Sequence, residues 1–358
     1  MTEPSPLDPA RATAREVGLR YATDAVPGLT RRRRGRGFSY YDQQGRVIRD
    51  PEALARIRSI VIPPAWTDVW ICPWPNGHIQ ATGRDARGRK QHRYHSDFRA
   101  ARDEAKFGRL VEFASALPRI RKRVDRDLGR PGVPREKVLA AVVRLLELTL
   151  IRVGNDEYTR LNQSFGLTTL RGRHVQVEGT AIRFRFKGKG GTPHEVGLRD
   201  RRLAALIRRC QELPGQELFQ YTEDGTVRDV TSDDVNEYLR TISKGDFTAK
   251  DFRTWAGTVL AYQSLCDLPE PQDERTRKRN VVEAVRRTAA ALRNTPAVSR
   301  QAYIHPAVLE AYVEGAIDAA EIEDLTSAER AVVELLRERL DVDAARTTRR
   351  APRSQGGR

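Results

Sequence analysis

Chemistry at a phosphate group needs a metal ion, a nucleotide cradle, or a nest of fixed cations around a nucleophile, and this sequence offers residues only for the third. Lys and Arg number 64 against 48 Asp and Glu, a formal net charge of +16. A field of that sign attracts polyanions at long range, which makes nucleic acid the leading partner class. Ribosomal and chaperone-like chains carry similar charge, so charge alone does not decide between them. The stretch Gly188-Lys189-Gly190-Gly191-Thr192 lacks the spacing of a G-x-x-x-x-G-K-[ST] loop, so nucleotide hydrolysis has no cradle. Cys72, Cys210 and Cys266 stand apart, the 6 histidines are dispersed and no acidic cluster forms, so neither a metal centre nor a disulfide framework is expected. No cofactor is expected. What remains is a metal-free site where arginines and a lysine stabilise developing charge while a side-chain nucleophile forms a covalent intermediate. Arginines are too numerous for charge to choose among them, since most arginines simply face water.

The elements that would position such residues fall into two modules. At 39% hydrophobic over 358 residues, the chain can bury an ordinary core without staples. From Phe38 to Tyr94 short apolar-aromatic runs alternate with Gly, Pro and Asn turns: Phe38 to Tyr41, Val47-Ile48, Val69 to Ile71, Ile79 to Thr82 and Gln91 to Tyr94. This predicts a small antiparallel sheet. Beyond residue 103 the period becomes helical, most clearly from Glu136 to Ile151 behind Pro134. Further helices are expected over Asp233–Ile242 with Ser232 as cap, over Ala249–Leu265 and over Arg277–Arg293. One β interruption, Arg173 to Leu198, contains the alternation Ile182-Arg183-Phe184-Arg185-Phe186 and a hairpin tip with lysines. The expected fold class is α+β: a tail over 1–20, a β-rich N-terminal domain over 21–103, a larger mainly helical domain over 104–340 with a short hairpin sheet, and a basic tail over 341–358. Both tails read as disordered from their composition. Arg31-Arg32-Arg33-Arg34-Gly35-Arg36 reads equally as a solvated loop or as a phosphate-contacting arm. No apolar run approaches the roughly 18 residues of a membrane span, and residues 1–20 lack the apolar core of a signal peptide, so a cytoplasmic protein without a membrane partner is expected.

A resemblance selects among the candidates. Leu150-Ile151-Arg152-Val153-Gly154-Asn155-Asp156-Glu157-Tyr158, followed by Phe165 to Leu170, resembles the segment bearing the first active-site arginine of type IB DNA topoisomerases of the poxvirus and bacterial kind. Phe186-Lys187-Gly188-Lys189 is similar to that family's lysine hairpin, and Lys250-Asp251-Phe252-Arg253-Thr254-Trp255 to the helix with its second arginine. Asn294-Thr295-Pro296 with Ser299-Arg300-Gln301-Ala302-Tyr303 resembles the segment of the nucleophilic tyrosine. In the N-terminal half, Ile62 to Trp66 and Gly88 to Tyr94 resemble the family's DNA-cap domain. Each motif is weak alone; their order along roughly residues 35–315 makes the joint signal strong.

The resemblance implies the tyrosine recombinase/topoisomerase IB catalytic fold and a catalytic set of Tyr303, Arg152, Lys189, Arg253 and Asn294. Gln91, His92, Tyr94, Tyr158 and Lys250 are implied as DNA contacts. Asn294 stands where poxvirus enzymes have histidine, so it can donate a hydrogen bond to phosphate but has no acid–base role. The implied activity is relaxation of supercoiled duplex DNA through a 3′-phosphotyrosyl intermediate, by a monomer, without metal or nucleotide. Plainer readings stand beside each residue. Tyr303 could be a half-buried core tyrosine, Arg152 a charge on a helix C-terminus, Lys189 a solvated turn residue and Tyr158 a surface helix residue. A tyrosine recombinase would use a similar residue set, though with a helical N-terminal domain, and a non-enzymatic DNA-binding protein would share the charge.

Overall fold

The computed structural model describes residues 9–317 and 324–350; the side chains of residues 9, 157, 158, 161 and 340–350 fall outside the description. The chain separates into two units, divided between Phe107 and Gly108, four residues beyond the expected boundary.

In the first unit, five short strands build one antiparallel sheet: β1 Leu29–Arg34, β2 Gly37–Tyr41, β3 Thr67–Ile71, β4 Ile79–Arg84 and β5 Lys90–Tyr94, in the order β2-β1-β3-β4-β5. Helix α1 (Pro9–Glu16) precedes them, α2 (Pro51–Ser59) interrupts them, and α3 (Ser96–Gly108) follows. The expected tail over 1–20 is therefore corrected in part, for α1 lies within it and Ala14 is fully buried. Asp50 caps α2 by accepting from the Ala53 N–H at 2.7 Å, and Pro51 supplies the pre-set first turn. One apolar cluster gathers Ile57 of α2 with Val69, Ile71 and Ala81; a second gathers Ala22, Trp70 and Cys72.

Neither reading of the Arg31–Arg36 run describes it fully, because most of it is strand β1, paired with β2 from Thr30↔Tyr41 to Arg34↔Gly37. Arg31 turns inward: its guanidinium donates to the carbonyls of Ile62, Pro63 and Trp66 and lies over the Phe38 ring at 4.1 Å. Arg32, Arg33 and Arg34 are exposed.

The second unit is mainly helical: α4 Leu110–Leu128, α5 Arg135–Thr149, α6 Asp156–Asn162, α7 Arg201–Gln211, α8 Ser232–Ser243, α9 Ala249–Cys266, α10 Glu274–Leu292, α11 Pro296–Ala302, α12 Pro306–Glu314 and α13 Leu325–Arg350. Strands β6 Val175–Glu178, β7 Ala181–Lys187 and β8 Pro193–Arg199 form a three-stranded antiparallel sheet, and β9 Gln220–Glu223 pairs with β10 Thr226–Asp229. Helix α13 continues into the stretch expected as a basic tail; residues 351–358 lie outside the description.

Apolar faces explain the assembly. Helix α9 is wrapped by α4, α5, α8, α10, α12 and α13, and its Phe252, Trp255, Val259 and Leu265 join one continuous core with Leu139, Leu146, Val285 and Val308. In β7 the expected alternation holds, with Ile182, Phe184 and Phe186 buried and Arg183, Arg185 and Lys187 exposed. The cap of α8 is corrected from Ser232 to Thr231, whose Oγ1 accepts from the Asp234 N–H while the Asp234 carboxylate accepts from the Thr231 N–H. The end of α5 moves from Ile151 to Thr149, because Leu150 adopts a left-handed conformation at φ 55°.

Candidate active site

That left-handed residue matters, since it ends α5 and leaves Ile151 to Asn155 as a segment without regular secondary structure. The segment is held by the short turn Leu167–Thr169: the Leu167 and Thr168 N–H groups donate to the carbonyls of Arg152 and Val153 at 2.9 and 2.6 Å. Gly166 permits this approach, because a Cβ there would lie 2.6 Å from the Arg152 carbonyl oxygen. Arg152 is thus positioned by backbone contacts outside the helix, which displaces the plainer reading of a charge on a helix end.

Arg253 emerges from the first turns of α9 into the core and is only 3% exposed. Thr248 and Asp251 close a capping box at the start of that helix. A buried guanidinium needs acceptors, and here they are carbonyls at two helix ends: Leu150, which caps α5, and Leu292, the last residue of α10 at 2.8 Å. Helix C-termini carry partial negative charge, so they compensate Arg253 without a carboxylate. Burial, and then the neighbouring Arg152, bring its pKa down to about 10, which still leaves it charged at neutral pH.

Tyr303 ends α11, with Arg253 5.2 Å from the centre of its ring. Its backbone sits against α9 where Gly257, one turn beyond Arg253, has no side chain: a Cβ on Gly257 would come within 2.5 Å of the Tyr303 carbonyl oxygen. The Thr258 hydroxyl, which donates to the Thr254 carbonyl at 2.9 Å, lies 3.4 Å from the Tyr303 carbonyl and accepts from the His305 N–H. Burial of the phenol opposes its ionisation, but Arg253, Arg152 and Lys250 outweigh burial and hold its pKa below the ordinary tyrosine value. Tyr303 thus borders a pocket that it shares with Arg152, Lys250 and Arg253.

Asn294 follows the left-handed C-cap Arg293 of α10. Its Oδ1 accepts from the Arg152 guanidinium. A guanidinium can only donate, so the amide orientation is fixed and Nδ2 becomes the free end. Nδ2 is buried and has no partner among the described residues, a donor in wait for an acceptor.

Arg152, Lys189, Lys250, Arg253 and Tyr303 line one open pocket of about 350 Å³ together with Asn155, Phe165 and Gly166. Asn294 joins the group through Arg152. Lys250, expected among DNA contacts, thus shares the pocket of Tyr303 from the first turn of α9. Lys189 is exposed at the β7–β8 tip, where Gly190 and Gly191 take φ of 79° and 78°. A larger cavity of about 690 Å³, lined by Arg171, Glu217 and Asp229 among others, shares Phe165 with this pocket but contains none of the expected catalytic residues. Among the described residues no group of His, Cys, Asp or Glu could hold a metal, and no helix is long and apolar enough to cross a membrane.

The expected contacts of the first unit divide. His92 and Tyr94 lie on one face of the edge strand β5, with ring centroids 5.8 Å apart and planes at 14°. Gln91 alternates to the other face, where its amide donates to Asp85 at 3.0 Å. Tyr158 belongs to α6, but its side chain lies outside the described residues. Residues that sequence reasoning missed are Gly257, Arg293 and His194. A glycine four residues after Arg253 on an otherwise apolar helix is the one signal that pointed to a close approach.

Residues 95–329 match the family described as eukaryotic DNA topoisomerase I, catalytic core, and residues 37–85 match the bacterial DNA topoisomerase IB N-terminal domain. The chain is 33% identical over 295 residues to a protein named DNA topoisomerase 1B from Acanthamoeba polyphaga mimivirus, covering 80% of this chain and 88% of that one. It is 23% identical over 280 residues to the DNA topoisomerase 1B of Vaccinia virus (strain Copenhagen), covering 74% and 83%. Both modules read from the sequence therefore have counterparts, and the chain belongs to the type IB DNA topoisomerase family.

Proposed function

We propose that the chain relaxes supercoiled duplex DNA by nicking and resealing one strand through Tyr303. The observation that carries this reading is the pocket in which the Tyr303 phenol, its pKa lowered, meets Arg152, Arg253 and Lys250. In the proposed step the Tyr303 phenol gives up its proton to solvent, the phenolate oxygen attacks phosphorus, a 3′-phosphotyrosyl bond forms, and the bond from phosphorus to the 5′-oxygen breaks. Arg152, Arg253 and the Asn294 amide bind the non-bridging oxygens, whose charge rises in the transition state. Lys189 gives a proton to the departing 5′-oxygen. The phosphodiester energy stays in the phosphotyrosyl link, so the reverse attack reseals the strand and no nucleotide is consumed. Between these steps the duplex swivels about the intact strand and either sign of supercoil is lost. One chain holds the full set, which suits a monomer acting on the cytoplasmic nucleoid.

The test uses positively and negatively supercoiled plasmids with a chelator and no nucleotide. Both should relax without recombinant products, and a denaturing quench should leave protein on 3′ ends. A parent protein that relaxes neither plasmid and leaves no adduct would overturn the reading.

Two further results are expected. In single-turnover cleavage the rising limb of the pH–rate profile should lie below that of an ordinary phenol. Because cations favour the phenolate, Arg152→Ala should move that limb to higher pH; an unmoved limb would mean that Arg152 does not act on Tyr303. Gly257→Ala should slow cleavage by about 10²-fold, the cost of a misplacement near 1 Å. Alanine is the better helix former by about 0.8–1 kcal/mol, so helicity does not account for a loss. Cleavage at the parent rate would show that Tyr303 tolerates displacement.

A further inference from the structure

The hairpin carrying Lys189 is fixed at its base. The Phe165 N–H donates to the Lys187 carbonyl at 2.7 Å, and the Arg293 guanidinium donates to the carbonyls of Pro193 and Glu195. Above that base, Gly188 to Thr192 are held by bonds within the tip itself, from the Gly188 N–H to the Thr192 carbonyl and from the Gly191 N–H to the Gly188 carbonyl. One buried side chain lies against this tip. His194 is 5% exposed and stacks on Phe186 at 4.8 Å and 22°. A Cβ on Gly188 would lie 2.4 Å from His194 Nε2, so the backbone next to Lys189 rests on the imidazole edge and only glycine allows it.

Packing does not account for a histidine there. Neither ring nitrogen has a hydrogen-bond partner among the described residues. An unmet buried polar group costs about 1–3 kcal/mol, which a phenylalanine would avoid. Burial, then Arg293, Arg152 and Arg253, hold its pKa down to about 4, so the ring is neutral and retains one N–H.

We propose that His194 is a positioning residue for Lys189: it seats the Gly188–Gly191 tip, and Nε2 bonds the tip backbone once the hairpin closes on bound DNA, which fixes the lysine ammonium at the leaving 5′-oxygen. This rests on the reading of Lys189 as the proton donor. Neither ring nitrogen is used by the step described for Tyr303.

The experiment compares single-turnover cleavage of a duplex having the ordinary 5′-oxygen with cleavage of one having a bridging 5′-sulfur, whose thiolate leaves without a proton. General acids contribute about 10²- to 10⁴-fold. His194→Phe should therefore slow the oxygen substrate by about 10- to 10²-fold and leave the sulfur substrate near the parent rate, with His194→Gln intermediate. Lys189→Ala on both substrates separates the two readings. If sulfur fails to rescue Lys189→Ala, the proton-donor reading falls and the proposal with it. If sulfur rescues Lys189→Ala while the His194 variants are slowed equally on both substrates, or on neither, the proposal alone falls. Should His194→Phe not fold, His194→Gln decides by the same comparison.

Discussion

Tyr303→Phe is expected to bind supercoiled plasmid as the parent does, to leave it fully supercoiled, and to give no protein–DNA adduct after a denaturing quench. The change removes one oxygen and keeps the ring. The hydrogen bond between the hydroxyl and Arg253 is lost, but the guanidinium near the ring and the close backbone approach at Gly257 still seat the residue. Binding to DNA is dominated by phosphate neutralisation, and the salt slope follows the number of such contacts. No lysine or arginine is lost, so that slope should match the parent's. Tyr262 and Tyr312 offer no substitute nucleophile: they are 5% and 7% exposed within the core, and the Tyr312 hydroxyl accepts from Asn280 at 2.7 Å. Relaxation by the phenylalanine protein at even a hundredth of the parent rate would place the covalent chemistry elsewhere.

How far the sequence disclosed this arrangement depends on what each pattern encodes. The hairpin strand β7 was legible because one face is buried, and burial imposes the period of two seen in Ile182, Phe184 and Phe186. Strand β1 was not, because four successive arginines hide which side faces inward; only contacts with distant carbonyls turn Arg31 in. The apolar pattern running through Ile151 likewise concealed the end of α5, since tertiary contacts, and no glycine, set the left-handed Leu150. For the site, residue types were legible through their order along the chain, whereas their electrostatic setting was not. That Arg253 takes its acceptors from two helix ends, and that Asn294 turns Oδ1 to Arg152, are facts of packing. His194 stayed hidden for a related reason: its importance comes from an atom that Gly188 lacks.

The helix-end setting of Arg253 leads to the second large effect. Arg253→Ala should lower single-turnover cleavage by about 10²- to 10³-fold, the usual cost of losing one preorganised donor to a developing oxyanion. It should also raise the Tyr303 pKa, because Arg253 is the strongest of the cations that lower it. A loss of stability is expected as well, since the Leu150 and Leu292 carbonyls lose their donor, and an unmet buried acceptor costs about 1–3 kcal/mol. Folding and chemistry can be separated with Arg253→Met, which fills much of the volume but carries neither charge nor donors. If the guanidinium serves mainly to tie α5 to α10, the methionine protein should show a lower Tm and cleave, once folded, within tenfold of the parent. If it is aimed at phosphate, cleavage should fall as far as in the alanine protein at temperatures well below Tm, with the pH–rate limb displaced upward in both. Carbonyls in place of a carboxylate favour the second outcome: a paired carboxylate would have spent the charge inside the protein, whereas two helix ends hold the guanidinium in place and leave its charge available to an incoming phosphate.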